Sequence, residues 1–107
     1  MNERIILIAG TTFKTSRKIA ETVSEAAPDF FVTLRENTTR AKRIGETEAS
    51  FRFYSHEQYE KKNAEGNVFL AEMYWGEYYW YDKKELNAHI NGGRTVLLPV
   101  HKTYRSR

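Results

Sequence analysis

The rhythm of apolar and polar positions changes several times along the chain, and each change predicts an element. Arg4-Ile-Ile-Leu-Ile-Ala9 is an unbroken apolar run rich in β-branched residues. That is the pattern of a strand buried on both faces, as in a parallel sheet under helices. Gly10 breaks it, and from Thr15 the spacing of Ile19, Ala20, Val23 and Ala27 marks one face of a helix that Pro28 stops. Phe30–Leu34 reads as a second short strand. Arg35–Ser50 is polar and without period, and is expected to be a long loop. Phe51-Arg-Phe53 alternates like a short strand.

Ser55 with Gln58 is a capping-box signature, opening a helix that runs to about Glu65 and ends at Gly66. Val68–Tyr74 and Glu77–Tyr81 are strand-like aromatic runs on either side of Trp75-Gly76, which predicts a hairpin. Asp82 with Glu85 forms a second capping box. Leu86 and Ile90 give that helix its apolar face, and Gly92-Gly93 closes it. Thr95–Val100 is the last strand, with pairing expected to end at Pro99. The order strand, helix, strand, loop, small mixed insert, helix, strand is that of an α/β domain, and its opening strand–loop–helix is a common place for phosphates.

Composition narrows the classes. A chain of 107 residues predicts one domain, and its 40% hydrophobic and 29% charged residues are those of a soluble globular protein. No apolar run approaches the roughly 20 residues that cross a bilayer, and no cleavable signal is recognisable near the start. There is no cysteine, so neither a disulfide nor a thiolate metal site is available; a cytoplasmic protein is expected. Seventeen basic against fourteen acidic residues leave a net charge of +3, short of the excess a dedicated nucleic-acid binder carries. The cations are uneven: four fall within Arg35–Arg43, and the tail His101–Arg107 is basic without an acid. His56, His89 and His101 lie in different elements without metal-ligand spacing and read as surface histidines.

The most informative stretch is Thr38-Thr-Arg-Ala-Lys-Arg-Ile-Gly-Glu46. A threonine pair, arginines three apart and Gly-Glu resemble the acceptor-binding loop of guanylate kinases. Phe51 and Phe53, Ser55-x-Glu57-x-Tyr59, Gly66, Phe69-Leu70 and Gly76-Glu-Tyr-Tyr79 follow in that family's order, and the resemblance covers roughly residues 4 to 100. It implies a partial P-loop kinase core of parallel strands and helices with a small mixed β/α nucleotide-acceptor insert. The expectation is a single guanylate-kinase-like domain over residues 1–107 without the lid and C-terminal half. By the resemblance, Arg40 and Arg43 hold the phosphate of a bound nucleoside monophosphate, assisted by the Tyr79 hydroxyl. Arginine suits this, since its planar fork presents paired donors to an oxyanion.

Departures from the family weigh against catalysis. A working P-loop reads G-x-x-x-x-G-K-[ST]; here Gly10-Thr-Thr-Phe-Lys14-Thr15 is two residues short and lacks the second glycine. Lys14 and Thr15 stand where the phosphate lysine and the magnesium-binding hydroxyl would be. The family's guanine-reading glutamate is Ala71 here, and Glu72 is expected on the opposite side of its strand. Phe51 replaces a phosphate-holding tyrosine, Trp80 a small residue, and Leu98-Pro-Val-His101 offers no acid for magnesium. Phosphoryl transfer depends on such positioning and charge neutralisation. No catalytic residue and no metal ligand is therefore assigned, with Mg and ATP expected as cofactors only if residual kinase activity survives.

Four readings compete. The first is a non-catalytic domain that binds a phosphorylated ligand, nucleotide or phosphate group, through Arg40, Arg43 and Tyr79. The second is a protein-binding inhibitor or regulator that keeps only the fold. It would present part of the cluster Tyr74, Trp75, Tyr78, Tyr79, Trp80 and Tyr81, with Trp75, Tyr78 and Trp80 as the interaction candidates. The third is a minimal kinase working through Lys14 and Thr15. Nucleic-acid binding comes last. The sequence names neither the partner nor the oligomeric state.

Overall fold

In the computed structural model, which describes residues 4–47, 49 and 51–100, the chain divides into two compact units. The first comprises Met1–Leu34 and Leu86–Arg107, and the second is the inserted segment Arg35–Glu85. The basic tail His101–Arg107, with its histidine, lies outside the described residues.

The first unit is built on a parallel sheet of three strands in the order β1 (Ile5–Ile8), β7 (Thr95–Pro99), β2 (Phe31–Thr33). The last strand of the sequence thus lies at the centre, with Ile5 opposite Val96 and Phe31 opposite Thr95. Its apolar run Val96-Leu97-Leu98 is buried, as a central parallel strand requires. Helix α1 (Phe13–Ala26) packs against this sheet, with Ala20 and Ser16 fully buried. Ser24 Oγ shares a hydrogen bond of 2.9 Å with Thr33 Oγ1 of β2. The expectation that β1 is buried on both faces is not met: Ile6 and Leu7 are 40% and 45% exposed. The reason is position. Among the described residues β1 pairs only with β7 and lies at the end of the strand order, and the burial its composition invites goes to β7 instead.

The second unit carries a mixed sheet in the order β4 (Phe51–Phe53), β3 (Glu36–Thr38), β6 (Glu77–Asp82), β5 (Val68–Tyr74). β3 runs parallel to β4 and antiparallel to β6, which pairs antiparallel with β5. The expected loop Arg35–Ser50 therefore begins with a buried strand. Glu36, Asn37 and Thr38 are polar, so no apolar rhythm announces them, yet all three are buried. Strands on both sides absorb their main-chain groups, and Thr38 Oγ1 donates to Tyr78 O at 2.9 Å. Asn37 and its cross-strand neighbour Trp80 keep buried side-chain polar atoms without partners among the described residues. Trp80 packs instead on the rings of Tyr54 and Tyr59, with centroids 5.6 and 4.9 Å away.

The local signals in this unit mostly behave as the sequence suggests. Ser55 caps α2 (His56–Ala64) with both bonds of the capping box in place. Trp75 and Gly76, with φ of 55° and 79°, turn the β5–β6 hairpin. Asp82 Oδ1 accepts from Glu85 N at 3.0 Å ahead of helix α3 (Lys83–Asn91). The Glu85 carboxylate, however, receives the Arg52 guanidinium at 2.7 and 3.0 Å rather than closing the box.

One feature of β5 overturns a sequence expectation. Phe69 lies opposite Tyr81 but Glu72 lies opposite Tyr79, so β5 holds one extra residue between them. Leu70 takes up this bulge with φ of 53°, a strained conformation for a leucine. Without the bulge Ala71 would face Tyr79; with it, Glu72 does. Directly paired residues share a face, so Glu72 lies on the Tyr79 side of the sheet.

Candidate functional site

In the second unit, the arginine loop leaves β3 at Thr38 and folds back on itself. Arg40 N donates to Thr38 Oγ1 at 3.1 Å, fixing the exit, and Thr39 Oγ1 accepts from Tyr78 N at 2.9 Å. Thr39 Oγ1 also donates to Glu77 Oε1 at 2.8 Å, and His56 Nε2 meets the same oxygen at 2.8 Å. These two bonds, Thr39 before His56, hold the Glu77 carboxyl below its ordinary value. At the far end, Gly45 has φ of 81°, a conformation that a residue with a Cβ adopts only with strain. The reversal it permits brings Glu46 N to Arg43 O at 3.0 Å and turns the Glu46 side chain inward.

Three donors converge on that carboxylate. Arg40 Nη1 and Nη2 reach Glu46 Oε1 and Oε2 at 2.9 and 2.7 Å, and the Arg43 backbone N reaches Oε1 at 2.8 Å. The Arg40 bond, then the Arg43 N–H, draws the Glu46 carboxyl down to about 2 against the cost of burial. Arg40 itself is 12% exposed, and its Nη1 also donates to Ala41 O at 3.0 Å. Its guanidinium lies 5.0 Å from the centre of the Phe51 ring and 5.7 Å from that of Phe53. Phe51 thus offers Arg40 a π face where the kinase pattern has a hydroxyl. The Arg40 pKa is raised above its ordinary value, chiefly by the Glu46 bond, with smaller contributions from Tyr79. Tyr79 itself stands edge-on to Phe51 and Tyr74, at 6.0 and 5.5 Å.

The structure therefore brings Arg40, the Arg43 backbone and Tyr79 together, but not as two open forks. Arg40 grips an internal carboxylate, and the Arg43 side chain is exposed. Sequence reasoning missed the role of Glu46, although the Gly-Glu pair six residues beyond Arg40 was the available signal. It also missed Glu72, which accepts from the Tyr74 hydroxyl at 2.7 Å. No sequence rule marks a bulge at a leucine.

The aromatic cluster is mostly spent on packing. Trp80 has no exposed surface, so it cannot present its ring to a partner, contrary to expectation. Tyr78 is half-buried and stacks on Tyr59 at 3.9 Å. Both lie on the side of the sheet that the α2 residue Tyr59 covers. Trp75 differs: at the tip of the hairpin it is 99% exposed. Tyr81, on the Tyr79 side of the sheet, is buried, and burial with the nearby Glu36 carboxylate pushes its phenol well above the ordinary value.

In the first unit, Lys14 and Thr15 sit in a tight turn rather than an open loop. Helix α1 begins at Phe13, two residues before the expected start, because Thr12 is its cap: Thr12 Oγ1 accepts from Thr15 N at 3.1 Å. Ser16 Oγ accepts from Gly10 N at 2.6 Å and donates to Thr12 O at 3.0 Å. The two hydroxyls of Thr12 and Thr15 share a further bond of 3.0 Å. Gly10 is required by close approach, since a Cβ there would lie 2.9 Å from Thr15 Cγ2 and 3.1 Å from Ser16 N. Gly10 N, Thr15 N and Ser16 N are thus all bonded inside the turn. The Lys14 and Thr15 side chains are exposed. Among the described residues no cluster of acidic residues and histidines could hold a metal ion, and no helix is long and apolar enough to cross a membrane.

A parallel sheet entered through a strand–turn–helix, interrupted by a mixed sheet that carries an arginine loop, is a guanylate-kinase-like fold. Among solved structures, guanylate kinase from Anaplasma phagocytophilum matches with a TM-score of 0.58 at 23% identity, over 88% of this chain and 46% of that one. The guanylate kinase of Clostridium perfringens strain 13 is 25% identical over 97 residues, 90% of this chain and 44% of the relative. Guanylate kinases of two further strains of that species match equally. The chain thus spans less than half the length of the curated relatives it matches. No family model matches it.

Proposed function

We propose that the chain is a non-catalytic binding domain that takes a phosphorylated ligand, a nucleotide or a phosphate group, at the arginine loop. The observation that carries this reading is the convergence of Arg40 Nη1, Arg40 Nη2 and Arg43 N on a single carboxylate. Donors so arranged suit an oxyanion, and the Glu46 carboxylate stands in for one. A phosphate that displaces Glu46 would meet the same fork, the Tyr79 hydroxyl and the exposed Arg43 side chain, with geometry that favours arginine. Against catalysis stands the turn Gly10–Ser16, which bonds Gly10 N, Thr15 N and Ser16 N internally, where a nest would turn such donors to the phosphates of a donor nucleotide.

The test is a thermal-shift titration with GMP and, separately, inorganic phosphate, on wild type, Arg43→Ala and Glu46→Gln. Ligand at about 100 times its dissociation constant stabilises a fold by about 2.7 kcal/mol, several degrees in midpoint for a domain of this size. The reading expects a shift in wild type, a weaker one in Arg43→Ala and a stronger one in Glu46→Gln, where no charged competitor remains. If neither compound shifts any of the three proteins at millimolar concentration, the reading fails. A phosphoryl-transfer assay with ATP and GMP on the same samples separates it from the minimal-kinase alternative.

A second reading, capture of a protein partner, is favoured by Trp75. A tryptophan at φ of 55° that is 99% exposed bears both backbone strain and unburied apolar surface. Under that reading Trp75→Ala weakens partner capture, whereas Arg43→Ala does not.

A further inference from the structure

We infer that the Glu46 carboxylate is a built-in ligand that closes the arginine loop, and that it swings out about Gly45 when an external oxyanion takes its place. This latch rests on the phosphate-binding reading of the loop: an entering oxyanion meets an occupied fork and has to expel Glu46 first. The carboxylate sits as a bound anion would. Both Arg40 Nη atoms and the Arg43 main-chain N–H reach its two oxygens at 2.7 to 2.9 Å, with Arg40 12% and Glu46 18% exposed.

The two halves of the loop are anchored differently. The fork is held without Glu46: Arg40 Nη1 donates to Ala41 O, its guanidinium lies over the Phe51 and Phe53 rings, and Arg40 N is tied to Thr38 Oγ1. Thr39, one residue earlier, is fixed to Tyr78 N and to Glu77. The half that returns Glu46 is held more lightly. Lys42, Arg43 and Ile44 are exposed, and among the described residues its main-chain tie is the single bond from Glu46 N to Arg43 O. Gly45, next to Glu46, has φ of 81°, and a Cβ there would meet no atom within 4 Å. A glycine in open space changes its dihedrals at little steric cost. Swinging Glu46 out thus gives up its hydrogen bonds and little apolar burial, while the Arg40 donors keep their aim.

A tethered competitor lowers the affinity of every entering anion, since each finds only a fraction of the loop open. The cage then fills only with a group that outcompetes a carboxylate held at high effective concentration. Entry is also coupled to a proton. The Arg40 bond, then the Arg43 N–H, holds the caged Glu46 at about 2, and release returns it toward its ordinary 4.5. The charged groups that face it are Arg40 and Arg43 of its own loop, while β4 and β6 bring the Phe51, Phe53 and Tyr79 rings to the fork. At pH 4 an expelled Glu46 therefore takes up about three-quarters of a proton.

The experiment is calorimetric titration of the full chain with sulfate, which stays a dianion at pH 4, in two buffers of different ionisation enthalpy. Wild type is expected to take up about three-quarters of a proton per sulfate bound at pH 4, and Glu46→Gln close to none. At pH 7 Glu46→Gln is expected to bind sulfate about tenfold or more tightly than wild type, the equivalent of one charge-assisted hydrogen bond. Sulfate bound by Glu46→Gln and not by wild type is the same latch, fully shut. Binding to wild type without proton uptake overturns the latch and leaves the phosphate-binding reading standing, because the anion then lies beside a Glu46 that stays caged. A Glu46→Gln that binds no more tightly than wild type overturns it equally. If neither protein binds sulfate at either pH, latch and reading fall together. The proton count on wild type decides the matter even if Glu46→Gln does not fold.

Discussion

Two turns in this molecule place backbone donors where a phosphate could lie, and they satisfy those donors differently. At Gly10–Ser16 the partners are neutral hydroxyls one turn away, Ser16 for Gly10 N and Thr12 for Thr15 N. At Arg40–Glu46 the partner is a carboxylate, held by a guanidinium fork and a main-chain N–H. A hydroxyl cap satisfies those donors with neutral groups that belong to the helix end itself. A carboxylate in a cage of donors is itself an anion, and another anion of similar shape can compete for the cage. Both stretches resemble kinase motifs in sequence, but only the second holds an anion among charged and main-chain donors.

The sharpest way to break this comparison is to remove the fork. Arg40→Ala strands a half-buried Glu46 carboxylate and bares the Phe51 and Phe53 rings. Loss of one partner of a buried ion pair costs about 3–5 kcal/mol, and with partial exposure here about 2–4 kcal/mol is expected. Urea unfolding measures it. A change below about 1 kcal/mol would mean the pair is a loose surface contact and the loop has no fixed shape. Arg40 is thus a poor residue for testing ligand binding alone, and Arg43 is the better one.

At the other turn, Ser16→Ala leaves Gly10 N without its buried acceptor. An orphaned main-chain donor costs about 1–3 kcal/mol, so a destabilisation in that range is expected. Phosphate binding, followed by the GMP shift, is expected to stay as in wild type. If Ser16→Ala abolished the GMP response while the protein remained folded, the turn would belong to the site and the contrast would collapse.

Legibility in the sequence follows the same physical line. Strands and caps written in local patterns were readable: the apolar runs of β1 and β7, the Ser55–Gln58 box and the Trp75-Gly76 reversal. β3 was not, because Glu36-Asn-Thr38 is buried by pairing on both edges rather than by its own hydrophobicity. Burial of β1 was overestimated, since composition cannot tell a central strand from one at the end of the strand order. The arginines of the candidate site were visible as a motif. Their state was not, because whether a guanidinium is open or occupied depends on where Gly45 sends the chain and which carboxylate it returns. Glu72 was misplaced for a similar reason: one strained leucine moves every later residue of β5 by one register.

A smaller effect sharpens the carboxylate side of the contrast. Glu46 has a folded-state pKa of about 2, below its ordinary 4.5. A depressed carboxyl contributes stability that is complete above its unfolded value and fades as pH falls toward the folded one. From pH 7 down to about 5 this contribution stays constant, and between about 4.5 and 2 it disappears. Allowing for solvent screening it amounts to roughly 1–2 kcal/mol. Glu46→Gln is expected to be less stable than wild type at pH 7 by about that much, the gap closing near pH 2. A gap that stayed constant across the acid range would mean that charge is not what holds the loop.

The smallest expected effect is the most pointed test of the neutral turn. Lys14 is exposed, on the first turn of α1, with no ion pair or side-chain hydrogen bond among the described residues. Substitutions at such positions change stability by less than about 0.5 kcal/mol. Lys14→Ala is therefore expected to match wild type in urea midpoint, in the GMP shift and in the absence of a shift with ATP and magnesium. The comparison turns on that last measurement. An ATP shift in wild type that Lys14→Ala removed would mean the capped turn opens to admit phosphates, with ligand binding offsetting its lost hydroxyl bonds. The first unit would then be a donor-nucleotide site after all, and the minimal kinase would displace the binding domain as the better reading.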